Sequence, residues 1–216
     1  MEILNKIKAV TALSLSLSAI SAHALDAPAA MVPAGLNPGD DFYIIFVTST
    51  TRDATSTDIA DYNAFVNTAA DLSGGKGTDD ATITWRVVGA TATDDQCDPY
   101  DGDASATPMY NLNDEKVADD RADMLDGSLD NDISSNETGG IAGLGGTWTG
   151  CFNNGTPDVG STLGVASPTY GLRTSDSTWA DFLVAAAAST YRLYAVSPKL
   201  TVAAGVSASA SPQAWD

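Results

Sequence analysis

The chain has 216 residues, with 28 Asp and Glu against 10 Lys and Arg, and a formal net charge of −18. That balance argues against nucleic acid and against anionic membranes as partners, since both need clustered basic side chains. Glu occurs only at positions 2, 115 and 137, so the acid is almost entirely Asp, a turn former whose charge is expected in solvated connections.

Lys6 and Lys8 precede an apolar run from Ala9 to Ile20, and Ser21-Ala22-His23-Ala24 supplies a small-residue cleavage site. Residues 1–24 therefore read as a secretory signal peptide, with a run too short for a permanent anchor. His23 is the only histidine and lies inside that segment. A secreted product then has no imidazole for a Ser-His-Asp triad, a Cys-His pair or a histidine-ligated zinc site. Only carboxylates, Tyr, Lys and Arg remain for proton transfer. About 190 residues follow the signal, enough to bury one core. Two cysteines in a secreted chain are expected to pair, Cys97 with Cys151. Both stand in loop-like sequence. Closing that loop stabilises the fold by about 4 kcal/mol through chain entropy.

Residues 25–39, rich in Ala and Pro, read as a linker to a single domain over 40–203. Phe42 to Thr48 is β-favouring and apolar throughout, the mark of a buried strand. Ser56 or Thr57 then caps a helix whose Ile59, Tyr62, Phe65, Val66 and Ala69 recur at helical spacing. Glycines 74, 75 and 77 end it. "ATITWRVVGATA" predicts a second strand with Trp85 as a core anchor. From Thr93 to Pro168 the composition shifts to Asp, Gly, Asn, Ser and Thr. Within it, "PMYNLND" and "EKVADD" predict two short strands about a turn at Asn113-Asp114. "ADMLDGSL" predicts a helical turn and "GTWTGCF" a strand fragment. "WADFLVAAAAST" predicts a turn or short helix, and "YRLYAVSPKLTV" a final strand pair broken by Pro198. Residues 204–216 form a small, polar tail. The order is α+β, with first and last strands placed to pair.

Six segments in this order carry a resemblance: "FVTSTTRDATSTDIADYNAFVNTAAD", "TWRVVGATATDD", "YNLNDEKVADDRADMLDGSLDNDI", "GTWTG", "RTSDSTWADF" and "RLYAVSPKLTV". Together they cover roughly residues 40–202 and resemble a family of secreted bacterial surface proteins with an endostatin-like, C-type-lectin-like fold. The resemblance implies a mixed core with a loop-rich central region and a binding role at the cell surface or in a matrix. The calcium-and-sugar triplets of true C-type lectins are missing; "TWTGC" and "STWADF" keep the tryptophan without them.

"DDQCDPYDGD" sets Asp94, Asp95, Asp98, Asp101 and Asp103 around Cys97, with Gly102 for a bend. "DGSLDNDISSNE" adds Asp126, Asp130 and Asp132, followed by Asn136 and Glu137. Calcium takes six to eight oxygens from such loops, and these eight aspartates are the candidate ligands. The spacing lacks the glycine and terminal glutamate of an EF-hand. A solvated, disulfide-pinned loop is the competing reading, with Asp126 turning on Gly127. A disulfide would also bring the first loop beside Trp148, Asn153 and Asn154, candidate contacts for a carbohydrate unless Trp148 is a core residue. Nothing singles out a catalytic carboxylate pair, and the chain is expected not to be an enzyme. The expected role is a secreted or cell-surface binding or adhesion module for a glycan, matrix or surface partner. The alternative is a self-assembling subunit of an extracellular layer or appendage, with calcium as a candidate trigger.

Overall fold

A computed structural model describes residues 24–143 and 145–205. Residues 1–23 and 206–216, which hold most of the signal peptide expected over 1–24 and of the tail expected over 204–216, lie outside the described residues. In chain order the first elements are β1 (Leu25–Asp26), a 3-10 turn (Ala29–Met31), β2 (Asp41–Val47), α1 (Ile59–Ala70), β3 (Arg86–Val87) and β4 (Gly89–Ala90). There follow β5 (Asp95–Gln96), β6 (Met109–Tyr110), β7 (Lys116–Ala118) and α2 (Arg121–Met124). The last are β8 (Thr147–Trp148), β9 (Thr169–Gly171), β10 (Leu183–Val184), β11 (Arg192–Val196) and β12 (Leu200–Thr201).

Every residue of Phe42–Val47 is apolar because β2 is covered on both faces. Side chains alternate along a strand. Phe42, Ile44 and Phe46 point to one core with Tyr62, Val66, Trp85, Trp148 and Leu193. Tyr43, Ile45 and Val47 point to a second, with Tyr100, Met109, Met124, Trp179 and Tyr194. Helix α1 covers the first face, and the loop-rich centre covers the second.

The sheet runs β1-β12-β2-β11-β8-β9-β10, with β3 on β11 and β6 on β2; β7 completes a hairpin with β6. β11 and β12 are not paired with each other. Both run antiparallel to β2 along one edge, Val196 opposite Ile45 and Leu200 opposite Phe42. Ser197, Pro198 and Lys199 therefore face only two residues, Ile44 and Tyr43, which is a β-bulge, a position that tolerates Pro. Ser197 fills the gap in the ladder: its Oγ accepts the Ile44 N–H at 3.0 Å, and its N–H donates to the Ile44 carbonyl.

Local chemistry explains where elements depart from expectation. Asp58, not Ser56 or Thr57, caps α1, its carboxylate accepting the Ala60 N–H at 2.9 Å. Ser56 Oγ instead accepts the Asp58 N–H and donates to Asp61. Phe65 is only half-buried, with the Arg52 guanidinium near its ring. The 25–39 segment belongs to the fold: Leu25 and Asp26 pair parallel with β12, and Met31 and Val32 are buried. The alanine-rich 179–190 segment forms β10 and turns rather than a helix. Phe182 and Ala185 donate to the carbonyls of Tyr170 and Pro168, so sheet pairing overrides the helix preference of alanine.

Cys97 and Cys151 form a disulfide with Cα atoms 5.6 Å apart. Both are buried and pack with Ala90, unlike the solvated loop positions expected of them.

Candidate binding cleft

A cleft of about 520 Å³ opens where the "DDQCDPYDGD" loop faces the β-bulge. Pro99, Tyr100, Asp101 and Asp103 form one wall, Ser197–Lys199 another, and Tyr43, Trp85 and Arg86 the base. The loop is folded around a guanidinium. Arg86 donates through Nη2 to the carbonyls of Asp98 (2.8 Å) and Pro99 (3.1 Å), and through Nη1 to that of Gln96 (3.4 Å). Burial lowers the pKa of Arg86, and the charges of Asp101, Asp98 and Asp95 oppose that shift. Converging carbonyls and carboxylates are the donor set a cation prefers. Here the cation is part of the chain.

The aspartates of this loop do structural work. Asp98 accepts the N–H groups of Tyr100 and Gly102 and the Nε–H of Arg121 at 2.7 Å. Asp101 sits at φ +52° and Gly102 at φ +78°, which turns the chain back toward the sheet. Asp103 accepts the Ser105 N–H (2.9 Å), the Tyr43 hydroxyl (2.9 Å) and the Lys199 ammonium (3.1 Å). The Ser105 N–H leads in holding the Asp103 carboxyl well below the usual carboxylate range, helped by the Ser105 hydroxyl, Tyr43 and Lys199. Burial pushes the Tyr43 and Tyr100 phenols far up, Tyr43 further by its bond to Asp103. Asp94 and Asp95 lie outside the cleft. Asp95 caps the Cys97 N–H, and Asp94 accepts from the Thr93 hydroxyl.

The second acidic stretch is separate. Among the described residues, one set of three acidic side chains brings its oxygens within 4.8 Å of one another: Asp119, Asp123 and Asp130. Lys116 bonds Asp119 and lies 3.2 Å from Asp130, and Asp123 accepts the Asp119 N–H. This cluster too has its own cation. Asp126 accepts the Ser128 N–H, with Gly127 at φ +103°, as a turn. Asp132 is exposed and borders a different depression, with Arg173. Glu137 is fully buried and accepts the N–H and hydroxyl of Ser49.

Trp148 offers no surface to a ligand. It is buried beside Tyr170 and Tyr191 and donates its indole N–H to the Arg52 carbonyl. Asn153 donates to Ser177, and Asn154 accepts from the N–H and hydroxyl of Thr156.

Asn154-Gly-Thr is one of six Asx-x-Ser/Thr turns among the described residues in which one side-chain oxygen takes both donors two residues on. The others start at Asp53, Asp80, Asp126, Asn136 and Asp176. These bonds, the threonine hydroxyl first, lower the pKa values of Asp53, Asp80 and Asp176. The pattern is readable in the sequence and accounts for much of its Asp and Thr.

Fold and cleft together define a strand-rich α+β domain with one disulfide and a polar cleft above buried aromatic side chains. No known family model matches the chain, and no curated protein is similar to it.

Proposed function

We propose that this is a secreted binding module of C-type-lectin-like type that recognises a glycan, matrix or surface partner through the 99–103/197–199 cleft. The observation that carries the reading is the cleft's preorganised wall. A disulfide, Arg86, Arg121, Tyr43 and Lys199 all hold the 97–103 loop in place. A wall fixed before binding loses little entropy when a ligand arrives. The exposed Asp101 carboxylate and the half-buried Asp103 and Lys199 present polar groups that suit a hydroxyl-rich ligand. The Tyr43 and Tyr100 phenols are raised and the Asp103 carboxyl is lowered, all three away from neutrality, which favours binding over acid–base chemistry. Because Arg86 lies within the first acidic loop and Lys116 pairs with Asp119 and Asp130, the reading takes binding to be independent of calcium.

Support for the fold type comes from the pairing of β1 and β2 with the terminal β12 and from the long, stapled loop region. Support for secretion comes from the disulfide, which fits an oxidising compartment. No helix among the described residues is long and apolar enough to cross a membrane. The test is a glycan and matrix-protein array probed with the oxidised protein in EDTA. Saturable binding by the wild type, lost in Asp101→Ala and Lys199→Met, is the expected result. Binding that both substitutions leave intact would refute the cleft as the site.

A further inference from the structure

Four charged side chains line the cleft, and their charges cancel: Arg86 and Lys199 against Asp101 and Asp103. Lys199 and Asp103 pair at 3.1 Å, and Asp101 is the foremost of the carboxylates whose charge acts on Arg86. A cation or an anion entering here meets a like charge beside each opposite one, and the body of a chain at −18 also repels an anion. Two lining groups are left with hydrogen bonds to make. Asp101 is exposed, and its carboxylate accepts no hydrogen bond among the described residues. Asn63 reaches the cleft from α1 and uses its Oδ1 to accept the Val87 N–H at 2.9 Å. That bond fixes which end of the amide is oxygen. Its Nδ2 meets no acceptor among the described residues and is not shut away from solvent. One turn further along α1, by contrast, Asn67 spends its Nδ2 on the carbonyls of Asn63 and Trp85.

The cleft thus offers one group that only accepts, Asp101, and one that only donates, Asn63. A sugar hydroxyl does both. A ligand carboxylate would answer Asn63 and repel Asp101; a ligand ammonium would answer Asp101 and leave the Asn63 donors unpaired. On the reading that this cleft is the binding site, we propose that it selects an uncharged sugar unit, with Asp101 accepting from one hydroxyl and Asn63 Nδ2 donating to another. Asn63 is then the residue that sets the selection against charged sugars. The volume of about 520 Å³ lies within the range of small-molecule sites. Tyr43, Trp85 and Tyr100 are buried at the base and open no ring face for stacking, so hydrogen bonds carry the binding. A single sugar unit therefore binds weakly, with Kd on the order of 1 mM.

Chemical-shift titration of the oxidised protein tests this, with the methyl glycosides of glucose, galactose and mannose, with glucuronate and with glucosamine. Each is taken to about 20 mM at about pH 6, where the glucosamine amine is charged. The expected result is saturable binding of at least one neutral hexoside, with glucuronate and glucosamine at least about tenfold weaker. Asn63→Asp keeps an acceptor for the Val87 N–H, replaces the two donors by a second acceptor and leaves the lining one charge negative. It should weaken the neutral hexoside at least about tenfold and strengthen glucosamine, opposite shifts that a misfolded variant cannot give. Asp94→Asn, which changes the charge outside the cleft, leaves both unchanged. No binding of any neutral hexoside, binding of a charged sugar as tight as the neutral one, or an Asn63→Asp variant that keeps the wild-type preference would overturn the proposal. A charged sugar whose binding is lost in Asp101→Ala and Lys199→Met would refute the selectivity and leave the cleft as the site. Hexoside binding that survives both of those substitutions would refute the cleft as well.

Discussion

Replacing Arg86 by Met removes the guanidinium around which the 96–103 loop is folded and keeps an unbranched side chain of similar length. Two of its bonds are short, 2.8 Å to Asp98 and 3.1 Å to Pro99. At about 1.5–3 kcal/mol for a bond from a charged donor, they contribute about 3–6 kcal/mol. Relief of the guanidinium's own desolvation offsets part of this, leaving a net loss of about 2–4 kcal/mol. Urea unfolding should show a lower midpoint at unchanged m. Hydrogen exchange should localise the damage: the amides of Tyr100, Gly102 and Asp103 lose more protection than those of β2. Arg86→Lys should lose nearly as much, because one ammonium cannot reproduce the planar fork that reaches three carbonyls. A loss below about 0.5 kcal/mol, the range of an ordinary surface substitution, would refute the reasoning. So would a uniform loss that leaves loop protection at the level of the strands.

Reduction of Cys97–Cys151, which are separated by 54 residues, should cost about 4 kcal/mol in the same assay, and under about 1 kcal/mol would contradict the staple. On the acid side, the lowered pKa of Asp103 supplies stability that is present above about pH 4, the unfolded value, and is lost as pH falls toward the folded one. Asp103→Asn should therefore flatten the acid-side decline in unfolding free energy. On the alkaline side, burial raises Tyr43, Tyr62, Tyr100, Tyr110, Tyr170 and Tyr194, with Tyr62 pushed up to about 12. Their contribution is in place below about pH 10 and is lost as pH rises through the folded values. Tyrosinate absorbance at 295 nm should thus appear together with loss of far-UV circular dichroism, and a gradual titration of a folded protein would contradict this. Lys116→Ala should open the Asp119–Asp123–Asp130 cluster, so the variant's melting temperature rises with calcium more than with magnesium while the wild type's does not.

Much of the scaffold was legible because it rests on local patterns. An apolar run in a β-favouring sequence marks β2, helical spacing marks α1, and Asn113-Asp114, with Asp114 at φ +64°, marks the β6–β7 turn. Two cysteines in a chain that opens like a secreted one mark the disulfide. The cleft was half legible. Its acidic wall stands out in the sequence, but Arg86 does not, since "TWRVV" reads as a strand and nothing local indicates that the carbonyls of residues 96, 98 and 99 converge on it. Trp148 in a Gly- and Thr-rich stretch has no periodicity to show that it faces the core. The alanine run beside β10 carries a helix preference that only its pairing with β9 defeats. In each case the deciding contact joins residues distant in sequence.

The most direct measurement of the central claim is the binding of an array-selected ligand by calorimetry in EDTA, with wild type and Asp101→Ala compared. The account predicts saturable binding by the wild type, unaffected by added calcium and at least about tenfold weaker in the variant. Binding that requires calcium, or that the variant retains in full, would contradict it.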